Sequence, residues 1–343
     1  MTRTASALIS VDDLISAGLA DMADRDRLDR VEQDFRIRIT PPMQQASPGI
    51  AAQFVPDPRE LQTRPEELAD PIGDAAHSPV AGLTHRYPDR VILHVTQSCD
   101  VYCRFCFRRE VVGAAGPLPH AKLDAALNYI AAHPAIREVI LTGGDPMTLS
   151  PRRLDEVLTR LSAMPHVEII RFHSRVPVVA PQRIAPLLPV LRGRRAIFVV
   201  IHSNHPDELT PEAREAITAL ADAGIALLSQ TVLLRGVNDD AALLARLFRA
   251  LTALRVTPYY LHHCDLARGT GHFRTTIDEG LAIVEQLRGH LSGVAIPSYV
   301  LDLPGGHGKV PLDSSAVMRD GPGRWKIRDW QGRIHEYHDI SRA

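Results

Sequence analysis

The sequence predicts an α/β fold: a partial (βα)6 TIM-like barrel with an N-terminal helical and extended accessory region and a short C-terminal extension. Three observations carry this reading. From Arg90 onward, short apolar runs alternate with stretches of helical periodicity, the pattern of right-handed βαβ units in a parallel sheet. About six such units fit, fewer than the eight of a closed barrel, so one side should stay open. Polar side chains also gather at the ends of successive runs, where this architecture places its chemistry. The expected division is an accessory region over residues 1–84 that wraps the barrel, the barrel over 85–302, and a lysine-bearing loop with a C-terminal extension over 303–343.

In chain order, residues 7–35 carry helical periodicity with dense Asp and Arg and read as one or two surface helices. Residues 41–80, with Pro41-Pro42, Pro56-Asp57-Pro58 and Asp70-Pro71-Ile72-Gly73, read as an extended segment with short helices. His85-Arg86-Tyr87-Pro88-Asp89-Arg90 then sets arginines and a tyrosine ahead of the first strand, as surface charge or as an anion site. The strand candidates are Val91–Thr96, Glu138–Leu141, Glu168–Phe172, Ala196–His202, Ala226–Leu233, Pro258–His262 and Val294–Val300. Helical periodicity fills the gaps, as in Leu123–His133, Pro151–Ala163, Pro211–Ala223, Ala241–Ala253 and Ile277–Leu291.

Composition narrows the class. Hydrophobic residues make up 45% and charged residues 23% of the 343, as in ordinary globular proteins. A net charge of −1 gives no reason to expect nucleic acid or an anionic membrane as partner. No apolar stretch reaches the roughly 18 residues of a membrane span, and the N-terminus lacks a signal-peptide pattern. Of 4 cysteines, all but Cys264 lie in one loop, which is ligand usage in a reducing compartment rather than a disulfide framework. The cytoplasm is the expected location.

That loop is Cys99-Asp100-Val101-Tyr102-Cys103-Arg104-Phe105-Cys106, a CxxxCxxC spacing at the end of the first strand. Three thiolates so close suit a [4Fe–4S] cluster with one iron left open. Structural zinc would want a fourth ligand, and no second CxxC or CxxH pair follows. Leu141-Thr142-Gly143-Gly144-Asp145-Pro146 ends the second strand. It reads as a tight turn capped by Asp145, or as a glycine pair that lets backbone approach a ligand. Ser174, His202 and His205 lie at or just beyond the next strand ends, and Gln230 lies inside a strand, where an amide needs a partner.

After the last strand comes Leu301-Asp302-Leu303-Pro304-Gly305-Gly306-His307-Gly308-Lys309-Val310-Pro311. It is no Walker loop, since the glycine spacing differs and Pro311 discourages a helix. It reads as a surface turn, or as backbone presenting Lys309 for a Schiff base with an aldehyde cofactor such as pyridoxal phosphate. Asp302 and Asp265 stand at neighbouring strand ends and could hold an ammonium group, bind a divalent metal, or cap turns.

Together these residues resemble the lysine 2,3-aminomutase family of radical S-adenosylmethionine enzymes. The likeness runs from His85 to Tyr337. It rests on the cysteine loop with Phe107-Arg108-Arg109, the Thr142–Pro146 motif, Val232–Asp239, Tyr259-Tyr260, Cys264-Asp265-Leu266, His272–Thr275 and Asp302–Lys309. The resemblance implies a barrel of the radical S-adenosylmethionine type. Cys99, Cys103 and Cys106 would ligate the cluster, with S-adenosylmethionine on the open iron. Gly143, Gly144 and Asp145 would meet its methionine end, and Ser174, His202 and Gln230 would lie near its adenosyl end. Lys309 would be the catalytic lysine that holds pyridoxal 5′-phosphate, with Arg86, Tyr87 and Arg90 on the phosphate. Arg108 would bind the substrate α-carboxylate, a task suited to a planar fork. Asp265 and Asp302 would pair with the ε-ammonium of L-lysine, which makes conversion of L-lysine to β-lysine the expected reaction.

An electron donor such as flavodoxin or ferredoxin is implied as partner. Homo-oligomerisation is left open, because the cysteines of the longer members' intersubunit zinc site are absent and no structural zinc is expected. His307 stands where a glycine is usual and His262 where an aromatic is common. The short C-terminus resembles members that make β-lysine for elongation factor P, so an indirect link to that factor is an alternative. A 2,3-aminomutase for another amino acid and a non-catalytic iron–sulfur protein are further alternatives.

Overall fold

Hydrophobic spacing and capping set the first elements. In the computed structural model, which describes residues 6–44 and 47–340, helix α1 (Val11–Ser16) starts at Ser10, whose side chain accepts the Asp13 N–H. The remaining residues, 1–5, 45–46 and 341–343, belong to the segments 1–84 and 303–343 set out above and lie outside the described residues. Helix α2 (Arg25–Asp34) buries Leu28 and Val31, and α3 (Pro48–Phe54) buries Ile50 and Phe54. A capping box then closes the short turn Pro58–Leu61, with Asp57 and Glu60 satisfying each other's backbone N–H groups.

Strand β1 (Leu83–Tyr87) runs antiparallel to β2 (Arg90–Thr96). Helix α4 (His120–Ala131), β3 (Glu138–Gly143), α5 (Pro151–Ser162) and β4 (Ile169–Ser174) follow. Next come α6 (Val176–Val179), α7 (Ile184–Leu191), β5 (Ala196–His202), α8 (Pro211–Asp222), β6 (Ala226–Leu233) and α9 (Ala241–Ala253). Strand β7 (Thr257–His263), α10 (Ile277–Leu287) and β8 (Ser298–Leu303) complete the alternation, and β9 (Gly308–Pro311) turns back antiparallel on β8. From β2 to β8 each strand pairs in parallel with the next in sequence, so all carboxyl ends meet at one rim. The core packs side chains such as Leu93, Leu141, Phe172 and Leu233 against helix residues such as Leu158, Ile217 and Phe248.

No ladder joins β1 to β9 among the described residues, so the sheet is a partial barrel. The Lys309 backbone N–H nevertheless reaches across that side to the Tyr87 hydroxyl at 2.9 Å. A separate antiparallel sheet of β10 (Val317–Arg319), β11 (Arg324–Arg328) and β12 (Ile334–His338) follows. No helix among the described residues is long and apolar enough to cross a membrane.

The differences from the sequence reading are local. The last barrel strand begins at Ser298 rather than Val294. Pro297 has no N–H to give a ladder, and Gly293–Ala295 forms a 3-10 turn instead. The helix expected to reach Leu291 ends at Leu287, two residues before Gly289 at φ +77°. Lys309 lies on a strand, β9, rather than in a surface turn or free loop. Asp302 likewise lies within β8 and not after it.

Candidate active site

A cavity of about 720 Å³ occupies the carboxyl-end rim, and every residue expected to hold the cluster, a cofactor or the substrate lines it, whereas His205, Cys264 and His307 do not. Cys99, Cys103 and Cys106 form part of its wall. Their loop is anchored below by Glu60, whose carboxylate takes Arg104 at 2.9 and 2.6 Å and Arg109 through a short contact. Burial alone would push the Glu60 carboxyl up, but the two guanidinium groups hold it below its ordinary range. The Arg104 backbone N–H adds a bond to Gln53 O at 2.9 Å.

Burial pushes all three thiols up, Cys106 to about 11. A cation is therefore needed before they can act as thiolates. Arg175 supplies part of one, donating to Cys103 Sγ at 2.7 Å while Glu208 and Gln53 hold its other end at 2.8 and 2.5 Å. Three thiols on one loop at the cavity wall are a donor set that fits an iron–sulfur cluster with an open iron. Cys264 lies outside the loop, buried in a small apolar cluster with Phe105, Leu234, Val237 and Phe273 against which Cys103 also packs.

Gly143 and Gly144 have a packing role that the sequence left open. A Cβ on Gly144 would stand 2.7 Å from the Gln97 carbonyl carbon, and one on Gly143, at φ +113°, would meet the Thr96 carbonyl. The close approach they permit is to the backbone of Thr96–Ser98, which leads from β2 into the cysteine loop and is tied by Gly144 N–H to Thr96 O at 2.6 Å. Asp145 caps that turn by accepting the Met147 N–H at 3.0 Å. It also accepts from the Ser174 hydroxyl at 2.8 Å and from the Arg175 and Val176 N–H groups at 2.6 and 3.1 Å. Burial raises its carboxyl to about 6. Asp145 thus fastens the end of β3 to the end of β4. The Gln230 side chain, by contrast, makes no hydrogen bond among the described residues, and buried His202 Nε2 has none either. Both line the cavity with polar atoms to spare for a ligand such as a nucleoside.

The same cavity gathers Lys309, Asp302 and Asp265, with Arg108 near enough to act on both Cys106 and Asp265. Lys309 Nζ pairs with Asp302 at 2.7 Å, and His262 Nδ1 lies 3.6 Å from the same carboxylate. Although burial pushes it up, Lys309 and His262 hold the Asp302 carboxyl well below its usual range. Asp265, just beyond β7, is raised to about 8 by burial and by Asp302 beside it. Of the phosphate candidates, Arg86 donates to Ile72 O at 2.6 Å and keeps a buried Nε without a partner among the described residues. Arg90 stacks 3.7 Å over the Tyr87 ring and pairs with Asp89 at 2.7 Å. A reactive amine, a carboxylate beside it and spare guanidinium donors fit a phosphorylated aldehyde cofactor.

Sequence reasoning missed Asp74, which takes Arg108 Nε at 2.7 Å and Arg86 at 3.3 Å. Nothing in its Pro- and Asp-rich stretch marks it, because its partners come from other elements. Arg175 and His173 were also missed as site residues. They follow and precede Ser174, so the strand-end rule that selected Ser174 could have found them.

Residues 93–248 match the family model described as the radical SAM superfamily, and residues 284–342 match that described as lysine-2,3-aminomutase. The chain is 46% identical over 290 residues to the L-lysine 2,3-aminomutase of Fusobacterium nucleatum, covering 84% of this chain and 68% of that one. It is 42% identical over 292 residues to the L-lysine 2,3-aminomutase of Clostridium subterminale, covering 84% and 70%. The glutamate 2,3-aminomutase of Clostridioides difficile is 38% identical over 287 residues, covering 83% and 68%. With relatives at these identities over most of both chains, and the cysteine rim and lysine strand in one cavity, the chain belongs to the lysine 2,3-aminomutase family of radical S-adenosylmethionine isomerases.

Proposed function

We propose that this protein is a pyridoxal phosphate-dependent 2,3-aminomutase that moves the α-amino group of L-lysine to the β-carbon, giving β-lysine. The observation that carries the substrate is the placement of two carboxylates, Asp265 and Asp302, in the same cavity as Arg108 and Lys309. When bound, the cluster with S-adenosylmethionine supplies a carbon radical that takes a hydrogen atom from the substrate, and pyridoxal phosphate supplies a ring that carries the migrating nitrogen.

The chain's own residues do the rest. Cys99, Cys103 and Cys106 hold three irons, and Arg175 orients Cys103 from behind. Gly143 and Gly144 let the β3 end lie against the cysteine loop, while Asp145 fixes Ser174 and the β4 end beside it. His202 and Gln230 offer polar atoms to the adenosine. Lys309 binds the aldehyde cofactor, and Arg86, Tyr87 and Arg90 take its phosphate. Arg108 gives Nε to Asp74 and keeps its terminal nitrogens for the substrate carboxylate, so one end of the amino acid is oriented by a fork already held in place. Asp265 and Asp302 hold the ε-ammonium at the other end. Asp302, held ionised, repels a glutamate side chain, which gives selectivity by exclusion as well as by attraction.

The test is anaerobic. Cluster-loaded protein with pyridoxal phosphate, a reductant and S-adenosylmethionine is given L-lysine, L-glutamate and L-arginine in separate reactions. β-Lysine from lysine alone is the expected product. A different β-amino acid, with none from lysine, would refute the role assigned to the two aspartates.

A further inference from the structure

Outside the barrel rim, one cluster has no part in the chemistry above. His307, between β8 and β9, meets Asp329, just after β11, and His335 on β12. One ligand atom from each lies within 4.8 Å of the others. The two imidazole rings stack at 4.0 Å between centroids with 27° between planes. His335 Nε2 lies 2.8 Å from Asp329 Oδ2.

We propose that His307, Asp329 and His335 form a binding site for a divalent transition metal, zinc in the first instance, that clamps the lysine-bearing strand to the C-terminal sheet. Two imidazoles and a carboxylate are a borderline donor set that suits zinc over magnesium or calcium. Tetrahedral zinc with bonds near 2.0–2.1 Å spaces its ligand atoms about 3.3 Å apart. The His335–Asp329 gap therefore needs to open by only a few tenths of an ångström. Metal at Nε2 puts the His335 ring proton on Nδ1, so the imidazole binds as a neutral ligand. Three protein ligands leave the fourth position to water.

The carboxylate is already oriented. Asp329 has no side-chain exposure, and its Oδ1 accepts the N–H groups of Gln331 and Arg333, both at 2.9 Å. Such outer bonds fix a ligand's direction. One contact opposes the metal: Arg333 Nε sits 3.0 Å from Oδ2, the oxygen nearest His335. That side chain is 57% exposed and can leave for solvent. The clamp has something to hold. Gly305, Gly306 and Gly308 all have positive φ, so the approach to Lys309 is made of the residues with most freedom to lose. His307 is the one side chain among them, two residues from the lysine. Metal binding would close this run onto β12 from outside the cavity.

The experiment uses cluster-loaded protein, so that the three rim cysteines are occupied. It is dialysed against increasing zinc chloride, and bound zinc is counted against chain concentration by elemental analysis. About one zinc per chain is expected, with affinity falling at least tenfold in His307→Gln and in His335→Gln while the cluster absorbance is retained. Arg333→Gln, which removes the competing cation, should tighten binding. Absence of stoichiometric zinc, or zinc that binds equally well in both histidine variants, would overturn the site. Unchanged or weaker binding in Arg333→Gln would overturn Asp329 as a ligand.

Discussion

Binding of L-lysine should expel a proton from Asp265. Burial and the neighbouring Asp302 raise its carboxyl to about 8. At pH 7 it is therefore about 90% protonated, and at pH 9 about 10%. An arriving ε-ammonium favours the carboxylate, so the bound state should hold Asp265 ionised at both values. Net release attributable to this group is about 0.9 proton per lysine at pH 7 and about 0.1 at pH 9. Ionising it first costs about 1.4 kcal/mol at pH 7, a tenfold handicap on affinity that fades above pH 8. The assay is calorimetric titration of cluster-loaded protein free of pyridoxal phosphate, the state in which Lys309 keeps its ammonium, with lysine in two buffers of different ionisation enthalpy and Asp265→Asn as the reference. Protons exchanged elsewhere in the site are common to both proteins and cancel in the difference. A difference near zero at pH 7, or one that does not shrink toward pH 9, would refute the assignment of Asp265 to the ammonium.

Three further outcomes follow from other contacts. Glu60→Gln leaves the buried Arg104 and Arg109 without their counter-charge, and should lower the unfolding free energy by about 3–5 kcal/mol in denaturant titrations. Asp74→Ala frees Arg108 from the carboxylate that aims it. It should raise KM for lysine about tenfold, from a loss of roughly 1.5 kcal/mol, with cluster content unchanged. His263 is buried and His94 half-buried, and desolvation holds both neutral, at about 3 and about 4. Their folded values lie below those of the unfolded chain, so their stabilisation is complete above pH 6.5 and is lost as pH falls. Each should cost about 2 kcal/mol at pH 5, measured as the difference between the wild type and the matching His→Gln variant in the change of unfolding free energy from pH 7 to pH 5.

The barrel was legible because its strands carry their own signal: β5 and β6 begin and end where the apolar runs Ala196–His202 and Ala226–Leu233 do. Long strands packed on both faces leave no ambiguity of period. The rim was legible for a related reason, since polar residues at the ends of apolar runs stand out. What could not be read was who bonds to whom. Asp74 and Arg108 are 34 positions apart and meet only because the segment before β1 folds over the rim. Asp145 reads equally well as a cap and as a ligand contact, and only the arrival of the Arg175 and Val176 N–H groups shows how fully it is engaged. Gly143 and Gly144 read as room for a ligand; they do line the cavity, and what periodicity could not show is that the Thr96–Ser98 backbone leading into the cysteine loop packs against them. Periodicity reports which face is buried; it carries nothing about partners brought in from another element.

Those partnerships share a feature: the charged groups proposed for cofactor and substrate are already paired with one another. Lys309 holds Asp302, and Asp74 holds both Arg108 and Arg86. Buried charges need such pairs. Arg108 gives Asp74 only its Nε and can keep that bond, but an ammonium at Asp302 has to replace Lys309. This dictates an order. While Lys309 keeps its ammonium on Asp302, the site already contains the cation that its carboxylates can take, and a second ammonium meets a competitor. With Nζ bonded to an aldehyde carbon, it would lose the N–H donors and the freedom with which it pairs with Asp302, and the ε-ammonium of lysine would be the replacement. Removing the side chain should have the same effect on the carboxylates without any cofactor. Lys309→Ala protein, cluster-loaded but free of pyridoxal phosphate, should therefore bind a simple diamine such as 1,5-diaminopentane at least tenfold more tightly than the wild type in the same state, equivalent to about 1.4 kcal/mol. Equal affinities by calorimetry would mean that the Lys309–Asp302 pair does not gate the ammonium site, and the order of binding argued from it would fall.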